Sequence, residues 1–443
     1  MAGTAQMLTA LVADQAGQIF DLEGYAAVGM AGSQPTPLTA GHTIALPYGS
    51  ELMWLPDRRP VVYNLERGRI EVLEQNPYAP GQPIFPVSVF NSPGHVITQV
   101  CAYREEAAAG PLPLFSYGAV GWHTDGFRSA AQRVDDEPRQ DLRHMPDDKI
   151  RAGIDTMRAA LPGNRLREHL ENCALIYGCP AGKNFFLGRY EAPLPTAQSC
   201  NARCLGCLSQ QPPESGIACS QNRIALTPSA DEIAQVALAH IERVDQAVVS
   251  FGQGCEGDPL LAAEVIGPAI RQIRRHTDRG TINLNTNASL TNRLGQLIEA
   301  GLDSIRISLN SAHEPYYSAY FRPVNYRFAD VCRSADLAIA GGLFVSINYL
   351  NLPGVSDTQT EFHALTVFID HHPINMIQWR NLNFDPRRYW LAMRATGGLE
   401  KPFGISQLIS KVSVRFPHLQ HGYFNPPRER WLQVGSPPRK ESS

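Results

Sequence analysis

The chain has 443 residues, 43% of them hydrophobic and only 18% charged, which is enough to bury more than one sizeable core. A formal net charge of −3 gives no broad cationic surface and argues against a nucleic-acid partner. Nine cysteines, clustered rather than spread, fit metal binding in a reducing cytoplasm better than a disulfide framework.

The N-terminus carries no Lys or Arg before Arg58, and Asp14 interrupts its apolar run, so neither export nor membrane insertion is expected. Residues 1–118 read as a smaller β-rich domain, with strand-like runs at Val61–Leu65, Ile70–Leu73, Val87–Phe90 and His95–Tyr103 between turn residues. The span from Gly24 to Ser50, free of Asp, Glu, Lys and Arg and full of Gly, Pro, Ser, Thr and Gln, could not span a bilayer. Residues 119–182 read as a helical linker: Ile150, Ile154, Met157 and Leu161 recur at helical spacing after Pro146, and a second helix follows from Arg165.

Residues 183–390 alternate strand and helix. The predicted strands are Asn184–Arg189, Ala247–Phe251, Thr281–Asn287, Ser304–Asn310, Phe344–Leu350 and Ile374–Leu382. Between them the spacing predicts helices, one opened by a capping box at Ser229–Glu232, the others over Asp258–His276, Leu290–Ala300, Phe328–Ala340 and Thr358–Asp370. Such alternation predicts an α/β fold with parallel pairing, a partial (β/α)6 TIM-like barrel. Asn283, Asn285 and Asn287 share one strand face, as do Arg306, Ser308 and Asn310, Ser346 and Asn348, and Gln378 and Arg380. With apolar residues on the opposite faces, a polar lumen able to hold a polar ligand is expected, or else an open sheet with one solvated face. Residues 391–443 are read as one C-terminal helix, Ile405–Phe416, and a disordered tail.

The chemistry centres on Cys200, Cys204 and Cys207, spaced C-x3-C-x2-C. Three thiolates from one loop can converge on a [4Fe–4S] cluster, which normally takes four cysteines, and leave one iron open. The same spacing also fits a structural zinc site with Cys219 as fourth ligand, or three unrelated thiols. Cys173, Cys179, Cys219 and Cys255 stay open as ligands of a second cluster or as buried thiols. His371 and His372 end a helix, where a C-terminal cap is expected rather than a metal site. After the second strand the turn Gly252–Pro259 holds Gln253, Glu256 and Asp258, and its carboxylates or carbonyls could accept from an ammonium group. Arg322 presents a guanidinium fork suited to a carboxylate, or a surface charge.

This order of motifs resembles the radical S-adenosylmethionine (SAM) superfamily, over about residues 190–385. The C-x3-C-x2-C loop is that family's signature. Glu256-Gly257-Asp258-Pro259 stands where the family has a Gly-Gly-Glu-Pro-like turn that binds the SAM amino group, with Glu for the first Gly and Asp for Glu. Asn285-Thr286-Asn287 is similar to its Thr-Asn-Gly, Ser308-Leu309-Asn310 to its Ser-Leu-Asp/Asn, and Leu352–Val355 to its adenine-contacting turn. The sequence around Gly182–Pro195, followed by the Cys loop, also looks like a bacterial group of the family with a β-rich N-terminal region.

The resemblance implies an enzyme whose [4Fe–4S] cluster, on Cys200, Cys204 and Cys207, cleaves SAM reductively so that a 5′-deoxyadenosyl radical abstracts a hydrogen atom from substrate. It implies SAM contacts from Gln253, Glu256, Asp258, Asn285, Asn287, Ser308 and Arg322, and an external electron donor, flavodoxin or ferredoxin. It names no catalytic residue and no substrate, which could be a small molecule or a peptide. An electron-transfer or redox-sensing iron–sulfur protein, and a barrel enzyme with structural zinc, remain as alternatives.

Overall fold

The structure, a computed structural model, describes residues 7–431. The expectation for Gly435–Ser443 therefore lies outside the described residues. No helix among the described residues is long and apolar enough to cross a membrane.

The site rests on a parallel sheet of seven strands in sequence order. They are β1 (Glu191–Pro193), β2 (Val248–Phe251), β3 (Thr281–Thr286), β4 (Ser304–Leu309), β5 (Phe344–Asn351), β6 (Met376–Asn381) and β7 (Gln420–Gly422). The helices are α1 (Asp147–Ala160), α2 (Arg165–Leu175), α3 (Pro180–Leu187), α4 (Ala230–Arg243), α5 (Ala263–His276), α6 (Thr291–Ala300), α7 (Glu314–Phe321), α8 (Phe328–Ala340), α9 (Gln359–His371), α10 (Pro386–Arg394) and α11 (Ile405–Arg415). This is the expected partial barrel, with corrections at both edges.

At the first edge, Asn184–Arg189 is not a strand. Pro180 sits in the first turn of α3, Phe185 and Phe186 are buried, and Gly188 ends the helix in the left-handed region. An apolar Phe-Phe pair suits either element, so the Pro start and Gly stop were the better guide. The true first strand, Glu191–Pro193, begins two residues beyond the end of that segment. At the far edge, β7 pairs in parallel with β6, through Met376–Gln420, Ile377–His421 and Gln378–Gly422. Helices α7 and α10 are likewise additions; α7 has almost no amphipathic periodicity to reveal it, because Tyr316, Tyr317, Tyr320 and Phe321 are all buried on one short element.

The strand faces divide as expected. Ile282, Leu284, Ile305, Ile307, Leu309, Val345, Ile347, Ile377 and Trp379 are fully buried against the outer helices. Each such side chain contributes roughly 1.5–3 kcal/mol of burial. The opposite face forms a hydrogen-bonded polar lumen. Ser304 donates to Asn283 (2.8 Å), Asn283 to Asn285 (2.8 Å), and Arg306 to Gln378 (3.0 Å). Asn425, after β7, joins this network: it accepts from Gln378 at 3.0 Å and donates to Glu191 at 2.8 Å.

The N-terminal unit is a twelve-stranded antiparallel sheet plus a two-stranded pair. Its long strand Ile19–Ala31 pairs with Thr9–Ala13, Gln34–Pro37, Arg58–Asn64 and Val100–Cys101. That strand and its hairpin partner Gln34–Pro37 lie outside the strand-like runs expected for this unit. Its glycines and acidic residues lower local β-propensity, and pairing on both sides overrides them. Strands continue through Val120–His123, Gly126–Ser129 and Ala131–Arg133, so the first part of the region read as helical linker is extended.

The unit is fastened to the sheet's sixth strand. Asn381 accepts from the Ile97 N–H (2.9 Å) and donates to the His95 carbonyl (3.0 Å). Asp385, which caps α10 through the N–H groups of Arg387 and Arg388, also accepts from the Leu112 N–H at 3.1 Å.

Candidate cluster and ligand site

The loop carrying Cys200, Cys204 and Cys207 follows β1 and is held by backbone on one side. The Arg203 N–H donates to the Phe321 carbonyl (2.9 Å), Leu205 N–H to Tyr320 (3.0 Å), and Val324 N–H to Asn201 (2.9 Å). The C-terminal end of α7 is therefore one wall of the loop, and it places Arg322 beside it. Arg322 caps α7 in the left-handed region with φ 46°. The three half-buried thiols and Arg322 line one cavity of about 1230 Å³, whose far side is Phe384, Arg388 and Leu391 around the start of α10.

On the other side the loop meets the turn after β2. The Gly257 N–H donates to the Ala197 carbonyl (2.7 Å) and the Asp258 N–H to Ser199 (3.0 Å), directly ahead of Cys200. This approach requires glycine: a Cβ at Gly257 would lie 1.9 Å from the Ser199 oxygen. At Gly252, φ is +82° and a Cβ would lie 1.7 Å from the Asn285 oxygen.

The two carboxylates of the turn are occupied internally. Glu256 accepts from four backbone N–H groups, those of Thr196 (2.8 Å), Ala197 (2.9 Å), Gly252 (2.6 Å) and Gln253 (2.8 Å). A carboxylate offers about four lone-pair directions, so none is left for an ammonium group. Asp258 accepts from the Thr286 hydroxyl (2.8 Å) and the N–H groups of Asn287 (2.7 Å) and Leu260 (3.0 Å). In this structure both side chains are struts joining strand ends. Burial pushes the Glu256 carboxyl up to about 7 against the four N–H donors, and raises Asp258 in the same sense.

Asn285 donates to the Gly252 carbonyl at 3.1 Å and accepts from Asn283, while Gln253 donates to Ser250 at 3.2 Å. Asn287 donates to Asn201 Oδ1 at 2.8 Å, and Asn201 donates in turn to Ser289 at 2.9 Å. Ser308 stands in register with Asn348 on the lumen face. Gln253 and Ser308 are not among the residues lining the thiol cavity. Asn348 Oδ1 and Arg306 Nε are buried polar atoms with no partner among the described residues. Burial, and then neighbouring Arg380, lower the Arg306 guanidinium to about 9.

Three further residues support the loop. Arg223 reaches Cys207 Sγ at 3.5 Å, Gln211 donates to the Leu205 (3.0 Å) and Cys207 (2.9 Å) carbonyls, and Asn201 is the junction just described. Only Asn201 lies inside the cysteine motif; Arg223 and Gln211 have no local signal. Burial raises the Cys200 thiol to about 12, with Asp258 adding to it, and pushes Cys204 well above the usual range. These thiols ionise when a cation shares the pocket.

At the end of α9, His371 Nδ1 lies 2.7 Å from the Val367 carbonyl and His372 Nδ1 2.6 Å from Asp336.

Residues 194–366 match the family model described as the Radical SAM superfamily. The chain is also similar to GTP 3′,8-cyclase 2 of Mycobacterium tuberculosis, at 33% identity over 145 residues, 32% of this chain and 37% of the relative. With GTP 3′,8-cyclase of Chlorobaculum tepidum it shares 27% identity over 203 residues, 43% of this chain and 56% of the relative. The chain thus spans between 37% and 56% of the length of these relatives. A solved structure, Streptococcus suis SuiB bound to precursor peptide SuiA, aligns over 68% of this chain and 69% of that one, at 11% identity and TM-score 0.38.

Proposed function

We propose that this chain, which carries a radical SAM domain over residues 194–366, cleaves S-adenosylmethionine reductively and abstracts a hydrogen atom from a substrate held in the polar lumen. The observation that carries the reading is the convergence of Cys200, Cys204 and Cys207 from one loop onto a cavity at the end of a parallel sheet. Enzymes of this superfamily use a [4Fe–4S] cluster and SAM, and such a cluster supplies the electron that splits SAM.

Cys200, Cys204 and Cys207 would hold the cluster. Three thiols on one loop are the donor set that suits it, and Arg322 on the same cavity offers its fork to the SAM carboxylate. Glu256 and Asp258 keep the Gly252–Pro259 turn against the loop, leaving backbone carbonyls and Gln253 to meet the amino group. Asn285 and Asn287 fasten that turn and the loop to β3. Ser308, with Asn348 Oδ1 and Arg306 Nε unpartnered beside it, gives the lumen polar groups for the ligand.

The electron donor is proposed to be a flavodoxin or ferredoxin. A reducing, intracellular setting fits nine free cysteines. The substrate, a small molecule or peptide, is to be found by test rather than inherited from relatives that the chain matches only in part.

The test uses anaerobically reconstituted protein, dithionite and SAM, with 5′-deoxyadenosine measured by mass spectrometry. Deoxyadenosine from wild type and none from the Cys200→Ala, Cys204→Ala, Cys207→Ala variant is the expected result. Zinc in place of iron and sulfide at the loop overturns the reading.

A further inference from the structure

A second group of metal-binding atoms lies apart from the cysteine loop. His169 Nε2 is 3.5 Å from Cys173 Sγ and 3.5 Å from Cys255 Sγ. All three ligand atoms lie within 4.8 Å of one another. His169 and Cys173 share one face of α2 at i,i+4. Cys255 comes from the turn after β2, eighty-six residues away in sequence from His169. Cys173 is 2% and Cys255 6% exposed, so a charge on either thiolate needs a partner.

We propose that His169, Cys173 and Cys255 bind a single thiophilic divalent cation of the zinc class, with Cys179 as the fourth ligand. The spacing decides for one ion over a cluster. Around a tetrahedral zinc, with Zn–N near 2.1 Å and Zn–S near 2.3 Å, ligand atoms fall about 3.6–3.8 Å apart. The two 3.5 Å separations match that edge. A cubane spreads its thiolates wider, because each sulfur sits on a different iron. The loop thiols are not drawn together in this way: they do not form a group within the same 4.8 Å limit.

Cys179 opens α3, its N–H donating to the Cys173 carbonyl at 3.0 Å; its thiol lies outside the 4.8 Å group and would move in to complete the shell. The cation would tie α2 and α3 to the turn that Glu256 braces. It joins the helical segment before the barrel to the ligand-binding turn.

The experiment uses the full chain carrying Cys200→Ala, Cys204→Ala and Cys207→Ala, so its outcome is independent of the loop's cluster. The metal is stripped with a chelator, and Co2+ is added anaerobically as the probe. About one equivalent should bind, with thiolate-to-cobalt charge transfer and the intense visible bands of a tetrahedral site, and Zn2+ should displace it. Cys173→Ser and Cys255→Ser should abolish the charge-transfer band, while Cys101→Ser, a buried thiol elsewhere, should leave it unchanged.

His169→Ala removes a half-buried ligand with little packing cost. It should weaken cobalt binding on the order of tenfold or more while the circular dichroism of the wild type is kept. Three results would overturn the proposal: no thiolate–cobalt band in folded protein, a band that survives Cys173→Ser, or iron with sulfide retained at this place. A Cys173–Cys255 disulfide found by mass spectrometry in freshly purified, metal-free protein would overturn it as well.

Discussion

Asn287 donates from Nδ2 to Oδ1 of Asn201 at 2.8 Å, and so the end of β3 is fastened to the residue next to the first loop thiol. The loop contains no regular secondary structure of its own to fix its shape. Its geometry is set by such bonds to β3, to α7 and to the turn after β2.

Asn201→Ala should therefore loosen the loop more than its own burial suggests. It removes bonds to Asn287 and Ser289, each worth about 1 kcal/mol net. The iron bound per chain after reconstitution should drop well below wild type, with only a small fall in Tm. Full iron loading in the variant would refute the positioning role.

Glu256→Gln exchanges an acceptor-only group for one whose NH2 faces backbone donors. With four N–H groups arranged around the carboxylate, at least one is left unsatisfied. Chemical denaturation should show a loss on the order of 2–3 kcal/mol. SAM affinity, measured by equilibrium dialysis on cluster-loaded protein, should fall with it.

Gly257→Ala should be far worse than Gly254→Ala, three positions earlier in the same turn. The first drives a methyl to 1.9 Å from the Ser199 backbone oxygen, while the second meets the side-chain ends of Gln221 and Leu208, which can shift. Soluble yield and Tm of the two variants give the comparison. Equal tolerance would mean that the turn and the loop do not touch as described.

Glu361 on α9 is buried and accepts from the hydroxyls of Ser311 (2.6 Å) and Tyr349 (3.0 Å) and the Ala312 N–H (3.3 Å). Burial raises its carboxyl from 4.5 to about 7. The folded state then binds more protons than the unfolded chain between those values, so its contribution falls as pH rises through that window and levels off above it. Relative to Glu361→Gln, metal-free wild-type protein should lose about 3 kcal/mol of stability between pH 4.5 and 7, read as the difference between the two curves, because buried His240 and His421, lowered to about 4, act in the opposite sense in both proteins. Unchanged slopes in urea unfolding across this range would exclude the effect. Glu256 is raised in the same sense and keeps its share of the slope in the variant.

Much of the barrel was readable from local pattern. Strands β2 to β6 and helices α4, α5, α6, α8 and α9 follow from period-two and period-3.6 apolar spacing and from caps such as Ser229 with Glu232, which form the expected capping box. Where the pattern misled, tertiary pairing was the cause. The segment Ile19–Ala31 is a strand because it has partners on both sides, and Gln420–Gly422 because β6 offers a free edge. Phe185 and Phe186 are helical because Pro180 and Gly188 bound them.

The same division runs through the site. Residue order alone determined that three thiols could share one metal centre, since a loop of eight residues can bring them to one point without help from distant chain. It also determined that the strands would show a polar face, because side-chain alternation along a strand is local geometry. Only the tertiary structure decided what Glu256 and Asp258 do. A carboxylate's role depends on which donors surround it, and theirs come from residues as far off as Thr196 and Asn287. It alone brought Cys255 to His169 and Cys173, since contacts across eighty-six residues arise from packing and leave no trace in local spacing.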